Sequence, residues 1–134
     1  MAKAEDSKKY FEGIGRRKTS VARVRFYPGS SNSFTVNGQD YKKYFPVLRF
    51  QKKAYAPLES VSEKGKVEVR VYGGGVMSQS EAVTLGLARA LVKSNPDFKK
   101  EFRVRGYMTR DSRMVERKKY GLKKARRAPQ WRKR

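Results

Sequence analysis

The sequence predicts an α+β fold, a small sheet covered by helices on one face and followed by a long basic C-terminal tail. Three observations predict it. Thr19–Tyr27 and Lys66–Tyr72 alternate apolar and charged side chains with the period of half-buried strands. Residues 82–91 repeat apolar and small side chains at helical spacing. Arg117 to Arg134 holds ten Lys or Arg and no acid, and such a run buries too little apolar surface to fold on itself. The expected organisation is a flexible N-terminus over residues 1–9, a folded α+β body over 10–116 and an extended basic tail over 117–134.

The first strand turns Ala22, Val24 and Phe26 to one side and Arg23 and Arg25 to the other. Pro28-Gly29-Ser30-Ser31-Asn32-Ser33 is turn chemistry, and Phe34-Thr35-Val36 reads as a short second strand closing at Asn37-Gly38, which together predict a β-hairpin. Asp40 is placed to cap a short helix through Tyr41–Phe45, stopped by Pro46. A second helical stretch over Val47–Ala56 is expected to end before Pro57. Lys66–Tyr72 puts Val67, Val69 and Val71 inward. After Gly73-Gly74-Gly75, Ser78-Gln79-Ser80-Glu81 has the Ser-x-x-Glu form of a capping box, starting a helix that runs to Ser94. Val83, Leu87, Ala90 and Leu91 share the face expected to lie on the sheet, Ala82, Gly86 and Ala90 keep its flank small, and Asn95-Pro96 ends it. Asp97–Tyr107 reads as a last short helix, and Thr109–Lys119 as a candidate edge strand. No internal repeat is seen.

The 134 residues carry 34 Lys plus Arg against 12 Asp plus Glu, a net charge of +22, with no Cys and no His. Zinc fingers, thiol enzymes, disulfide scaffolds and the usual acid–base triads are thereby excluded. No cofactor is expected. No apolar run is long enough to span a membrane, and the N-terminus lacks a signal or transit pattern, so a soluble, unprocessed chain is expected. So large a charge strains a compact state, and a permanent polyanionic partner explains it. Nucleic acid comes first; a membrane surface would need an amphipathic helix with a basic face, and none is found. Residues 1–98 hold 18 basic and 9 acidic side chains and residues 99–134 hold 16 and 3, so the second stretch carries more net charge in about a third of the length. Tyr120, Gly121, Pro129 and Trp131 interrupt the final cations, and a lone Trp among Arg and Lys suits stacking or wedging.

Gly15-Arg16-Arg17-Lys18-Thr19-Ser20 sets three consecutive cations just before a strand, where Arg16, Arg17 and Lys18 join Arg23 and Arg25 as a candidate phosphate clamp. The triple glycine before a helix has two readings, a tight connection or a backbone contact to phosphate. It lacks the Gly-Lys-Ser/Thr of a phosphate-binding loop. The carboxylate pairs Glu59 with Glu63 and Asp111 with Glu116 lie in charge-rich surroundings. For Asp111 and Glu116, organising Arg110, Arg113 and Arg117 is the expected role rather than catalysis.

Three segments, Gly15 to Arg23, Gly73 to Leu91 and Asp111 to Arg126, together resemble the S-nine proteins of the small ribosomal subunit. Gly73-Gly74-Gly75, Ser78, Gln79, Ala82, Gly86, Ala88, Arg89, Ala90 and Leu91 fill every fixed place of that family's signature. Gly15 to Arg23 is similar to its first-strand motif, and Asp111-Ser112-Arg113 through Glu116-Arg117-Lys118-Lys119 to Gly121 and Ala125-Arg126 resembles its exit to the tail. The ending Pro129-Gln130-Trp131-Arg132-Lys133-Arg134 departs from the family's Pro-Gln-Phe-Ser-Lys-Arg at two positions. The resemblance implies a small mixed sheet of the type in the second domain of ribosomal protein S-five. It also implies a place in the head of the small subunit, in the cytoplasm, with neighbouring ribosomal proteins and no small-molecule substrate. Ribosomal RNA would be met by Arg16, Arg17, Lys18, Arg23 and Arg25, and by Arg110, Arg113, Arg117, Lys118, Lys119, Lys123, Lys124, Arg126, Arg127, Trp131 and Arg132. Lys133 and Arg134 would reach the anticodon stem–loop of the peptidyl-site transfer RNA. A free nucleic-acid chaperone or histone-like compacting protein is the alternative, to be decided by binding to naked duplex DNA. A phosphoryl-transfer enzyme lacks its catalytic constellation here.

Overall fold

The computed structural model describes residues 9–133. The N-terminal segment expected to be flexible lies outside them except for Lys9, and so does Arg134. Strands β1 (Phe11–Arg17), β2 (Ser20–Pro28), β3 (Ser33–Val36), β4 (Gln39–Asp40) and β5 (Gly65–Tyr72) form one mixed sheet in the order β1-β2-β5-β3-β4. β5 runs antiparallel to β2 and parallel to β3. A parallel pair needs a crossover, made here by helices α1 (Tyr41–Tyr44) and α2 (Leu48–Val61); α3 (Val76–Ser94) and α4 (Phe98–Arg105) follow β5. The fold is α+β, as the alternation in β2 and β5 requires.

Ala22, Val24 and Phe26 of β2 and Val67, Val69 and Val71 of β5 form the core with Val83, Leu87, Ala90 and Leu91 of α3. Each large apolar side chain buried there contributes on the order of 1.5–3 kcal/mol. On the opposite face of the sheet Arg23, Arg70 and Tyr72 are exposed.

β1 is a strand where the sequence suggests only the approach to one. It pairs with β2 from Phe11↔Phe26 to Arg17↔Ser20, but beyond Phe11, which packs on the core, its inward positions are Gly13, Gly15 and Arg17, and its one aliphatic residue, Ile14, is 45% exposed on the other side. The glycines are needed for close approach. A Cβ on Gly13 would stand 2.1 Å from Gly86 O, one on Gly15 1.8 Å from Ala82 O, and one on Gly86 2.8 Å from Val24 Cγ2. β1 and α3 therefore meet backbone to backbone.

Three further expectations are corrected. Helix α2 does not end before Pro57; the proline lies inside it and is buried. A proline leaves the carbonyl four residues back without its donor, and that carbonyl, Lys53 O, lies 2.7 Å from the Thr84 hydroxyl of α3, which donates to it. The capping signal is displaced: Gly75 is the N-cap of α3, and Ser78 Oγ accepts the Gly75 N–H at 3.1 Å, so Glu81 sits in the second turn. Asn37-Gly38 does close a hairpin, but to β4, while β5 separates β2 from β3.

No helix or strand follows Arg105 among the described residues, so Thr109–Lys119 does not extend the sheet. At the β1 edge, Lys93 Nζ and Arg89 Nη1 donate to Glu12 O and Ile14 O, both at 2.7 Å, occupying carbonyls that an added strand would need.

Gly86→Leu should lower the denaturation midpoint by the equivalent of about 1–3 kcal/mol, the usual cost of overpacking. Gly15→Ala should do the same, although alanine is otherwise the better strand and helix residue. Unchanged midpoints in both would contradict the backbone contact.

Candidate nucleic-acid interface

The open face of the sheet is assembled by parity. Arg16 of β1, Arg23 and Arg25 of β2, and Lys66 and Arg70 of β5 all point away from the helices. Arg16, Arg23 and Arg25 were legible as candidates. Lys66 and Arg70 were not, because their strand alternates with Glu68 and only the register, which sets Arg23 directly across from Arg70, joins them to the others. Two like charges opposite each other on paired strands repel. Glu12 moderates this by holding Arg23 Nη2 at 3.0 Å, and Glu68 holds Lys66 Nζ at 2.6 Å. That contact keeps Glu68 below the ordinary carboxylate range and raises Lys66. Among the described residues Arg16, Arg25 and Arg70 have no carboxylate at salt-bridge distance. Aromatic rings lie between the cations: Arg25 Cζ is 4.9 Å from the Tyr10 ring centre and Lys66 Nζ 5.6 Å from that of Tyr27, while Tyr72 is 61% exposed. Lys18 occupies the β1–β2 turn with φ +52° and is exposed.

Arg17 does not belong to this surface. It is 8% exposed, faces the helices, and ion-pairs with Glu81 through Nε at 2.6 Å. Glu81 is also held by Lys53 of α2 at 2.6 Å. Burial alone would push the Glu81 carboxyl up, but the hydrogen bonds from Lys53 and Arg17 outweigh it and hold the group below its ordinary value.

The C-terminal segment is organised locally by its acids. Asp111 is forked by Arg113 Nε and Nη2 at 3.0 and 2.8 Å, and that guanidinium first, then the Arg113 N–H, holds Asp111 well below the usual carboxylate range. Glu116 meets Lys119 and, at 2.9 Å, Arg126, rather than Arg110 or Arg117. Arg110, Lys118, Lys123, Lys124 and Arg127 are exposed, as is Lys133. Tyr120 and Trp131 are 100% and 90% exposed, and Arg132 Cζ lies 5.5 Å from the Trp131 ring centre. This is a chain of cations interleaved with uncovered aromatic rings, the arrangement that meets phosphates and stacks on bases.

The glycine-and-serine segment between β5 and α3 is a structural joint. Ser20 Oγ donates to Gly73 O at 2.9 Å and lies 2.8 Å from Ser78 Oγ; Gln79 Nε2 donates to Gly73 O at 3.0 Å. Gly74 has φ +62°, and a Cβ there would stand 2.1 Å from Ser20 Oγ.

Residues 15–134 match the family described as ribosomal protein S9/S16. Three similar proteins are the small ribosomal subunit protein uS9 of Cytophaga hutchinsonii, that of Thermus thermophilus, and uS9c of Gracilaria tenuistipitata. The first is 55% identical over 123 residues, covering 90% of this chain and 95% of its own. The second is 49% identical over 126 residues, 92% and 98%, and the third 42% over 134 residues, 97% and 96%.

Acid stability tests the Arg17–Glu81–Lys53 network. The folded Glu81 value is lowered, so its contribution is complete above the ordinary 4.5 and is lost as pH falls through the lowered value. Glu81→Gln should therefore be less stable at neutral pH and should show a flatter loss of melting temperature below pH 4.5. An acid limb as steep as that of the parent would contradict this.

Proposed function

The chain belongs to the ribosomal protein S9/S16 family, and on that footing we propose how it engages RNA within the small ribosomal subunit. The family is structural and not enzymatic, so the chain is a constituent of the subunit. In the proposed arrangement the body sits in the subunit head among neighbouring ribosomal proteins, with the open sheet face toward ribosomal RNA. Arg16, Lys18, Arg23, Arg25, Lys66 and Arg70 supply phosphate contacts, and RNA relieves the repulsion between Arg23 and Arg70. Residues 117–134 form an extended arm that orders along RNA, and Lys133 and Arg134 reach the anticodon stem–loop of transfer RNA in the peptidyl site.

One observation carries this reading. Most acids of the body pair with its own cations, as in Glu12–Arg23, Glu68–Lys66 and Glu81–Arg17–Lys53, whereas residues 117–134 hold ten cations with no acid among them, and of those described only Lys119 and Arg126 meet a carboxylate, that of Glu116. The remaining like charges and the exposed aromatic rings gain little from the chain's own fold, and a polyanion both neutralises the charges and covers the rings. Arginine adds forked contacts to phosphate that lysine cannot match.

Removing Lys133 and Arg134 should leave subunits assembled and speed dissociation of transfer RNA from the peptidyl site by roughly ten- to a hundred-fold, the effect of losing one or two hydrogen bonds to charged groups. Dissociation rates on ribosomes carrying the truncated chain measure it. An unchanged rate together with defective assembly would make the tip a structural contact to ribosomal RNA instead.

A further inference from the structure

A guanidinium at an inward strand position is costly unless every charge around it is matched. Arg17 meets that demand with groups from two separate parts of the chain. Glu81 Oε2 of α3 takes its Nε at 2.6 Å. The other end of the fork points at the segment that follows α4: Nη2 lies 3.5 Å from Asp111 Oδ2, and Nη1 donates to Arg113 O and, at 3.5 Å, to Asp111 O. Among the described residues it is the one side chain of the sheet or helices that hydrogen-bonds to the chain beyond Met108. The described residues of that chain form no helix or strand, and Met114 and Val115 just past the contact are 63% and 85% exposed.

We propose that Arg17 is a positioning residue that aims the basic tail: its fork clasps residues 111–113 and fixes where the chain beyond them leaves the body before any RNA is met. The value of the aim rests on the reading of residues 117–134 as an RNA-reaching arm; the clasp itself does not. Fixing the root of an otherwise unsupported arm removes part of the ordering cost at binding. Arginine is required by geometry, since one planar fork serves a carboxylate on α3 while its far nitrogens reach two backbone carbonyls and a second carboxylate. A lysine ammonium keeps the charge but is a single point and cannot span both sides. The neighbouring Arg16 and Lys18 are exposed, so within three consecutive cations the middle one has the opposite task.

The test uses the full chain, which has no cysteine, so Ser30→Cys and Val115→Cys accept spin labels at two exposed positions. Pulsed distance measurements on the RNA-free protein should give a narrow distribution, broadened by Arg17→Lys and by Asp111→Ala. Asp111→Ala leaves the Arg17–Glu81–Lys53 network of the body whole, so broadening in that variant cannot come from an unfolded body. Tryptic cleavage after Arg113 should accelerate roughly ten-fold in Arg17→Lys, the order expected when a hydrogen bond to a charged group is lost. Unchanged distances and cleavage in both variants would overturn the clasp and leave Arg17 as a charge only. Incorporation into small subunits is measured alongside. Slower incorporation of Arg17→Lys at equal net charge supports the aim, and broadened distances with normal incorporation uphold the clasp while counting against the RNA-reaching arm.

Discussion

The structure depends on the backbone contact between β1 and α3. Gly13 and Gly15 face Ala90, Gly86 and Ala82, and a single carbon added to either strand glycine would enter the backbone of the helix. The next inward position of the strand is Arg17, and its partner on the helix is Glu81, so the apolar contact ends in a part-buried ion pair. The residues that identify the family fall largely along this line. Ser78 and Gln79 tie down the glycine joint that sets the start of the helix, Ala82, Gly86 and Ala90 allow the approach, and Arg89 covers a β1 carbonyl. The signature is thus a description of how the helix seats on the strand. The cations proposed to meet RNA lie elsewhere.

That division explains what could be read from the sequence. β2, β5 and α3 were legible because their buried positions are apolar and their exposed positions charged, so period alone orients them. β1 was hidden because the same rule is inverted: glycines are buried and Ile14 is exposed. The passage of α2 through Pro57 was hidden because the compensating donor, Thr84, is distant in sequence and arrives only with the tertiary fold. Charge showed that the chain needs a polyanion, yet it could not separate Arg17 from Arg16 and Lys18. Only strand parity does so, and parity was unknown while β1 was unrecognised. Conversely, Lys66 and Arg70 became candidates once the register set them across from Tyr27 and Arg23.

The distribution of acids sets the character of the two parts. In the body the carboxylates sit where they shorten the range of repulsion, across the sheet at Glu12 and Glu68 and inside at Glu81, and the fold can stand with a moderate excess of charge. Past Arg117 that device reduces to Glu116 reaching Lys119 and Arg126, and the other cations are separated by Gly121, Pro129 and exposed rings rather than by acids. Self-repulsion within such a run is screened over about 10 Å at ordinary salt, short of its extended length. An extended arm is therefore the form with least repulsion, and one bound polyanion satisfies it along its whole length.

The central claim, that the terminal arm carries more of the RNA attraction than the body face, is tested most directly by salt dependence. Two full-length variants are compared with the parent for binding to ribosomal RNA of the small subunit. One replaces Lys118, Lys119, Lys123, Lys124, Arg126 and Arg127 by Gln, and the other replaces the same number on the body, Arg16, Lys18, Arg23, Arg25, Lys66 and Arg70. The logarithm of affinity falls with the logarithm of salt by about 0.7 to 0.9 for each phosphate neutralised. The arm variant should lose several units of slope, and more than the body variant loses. A slope unchanged by the arm replacements but reduced by those on the sheet would contradict the account and make the body face the principal RNA contact.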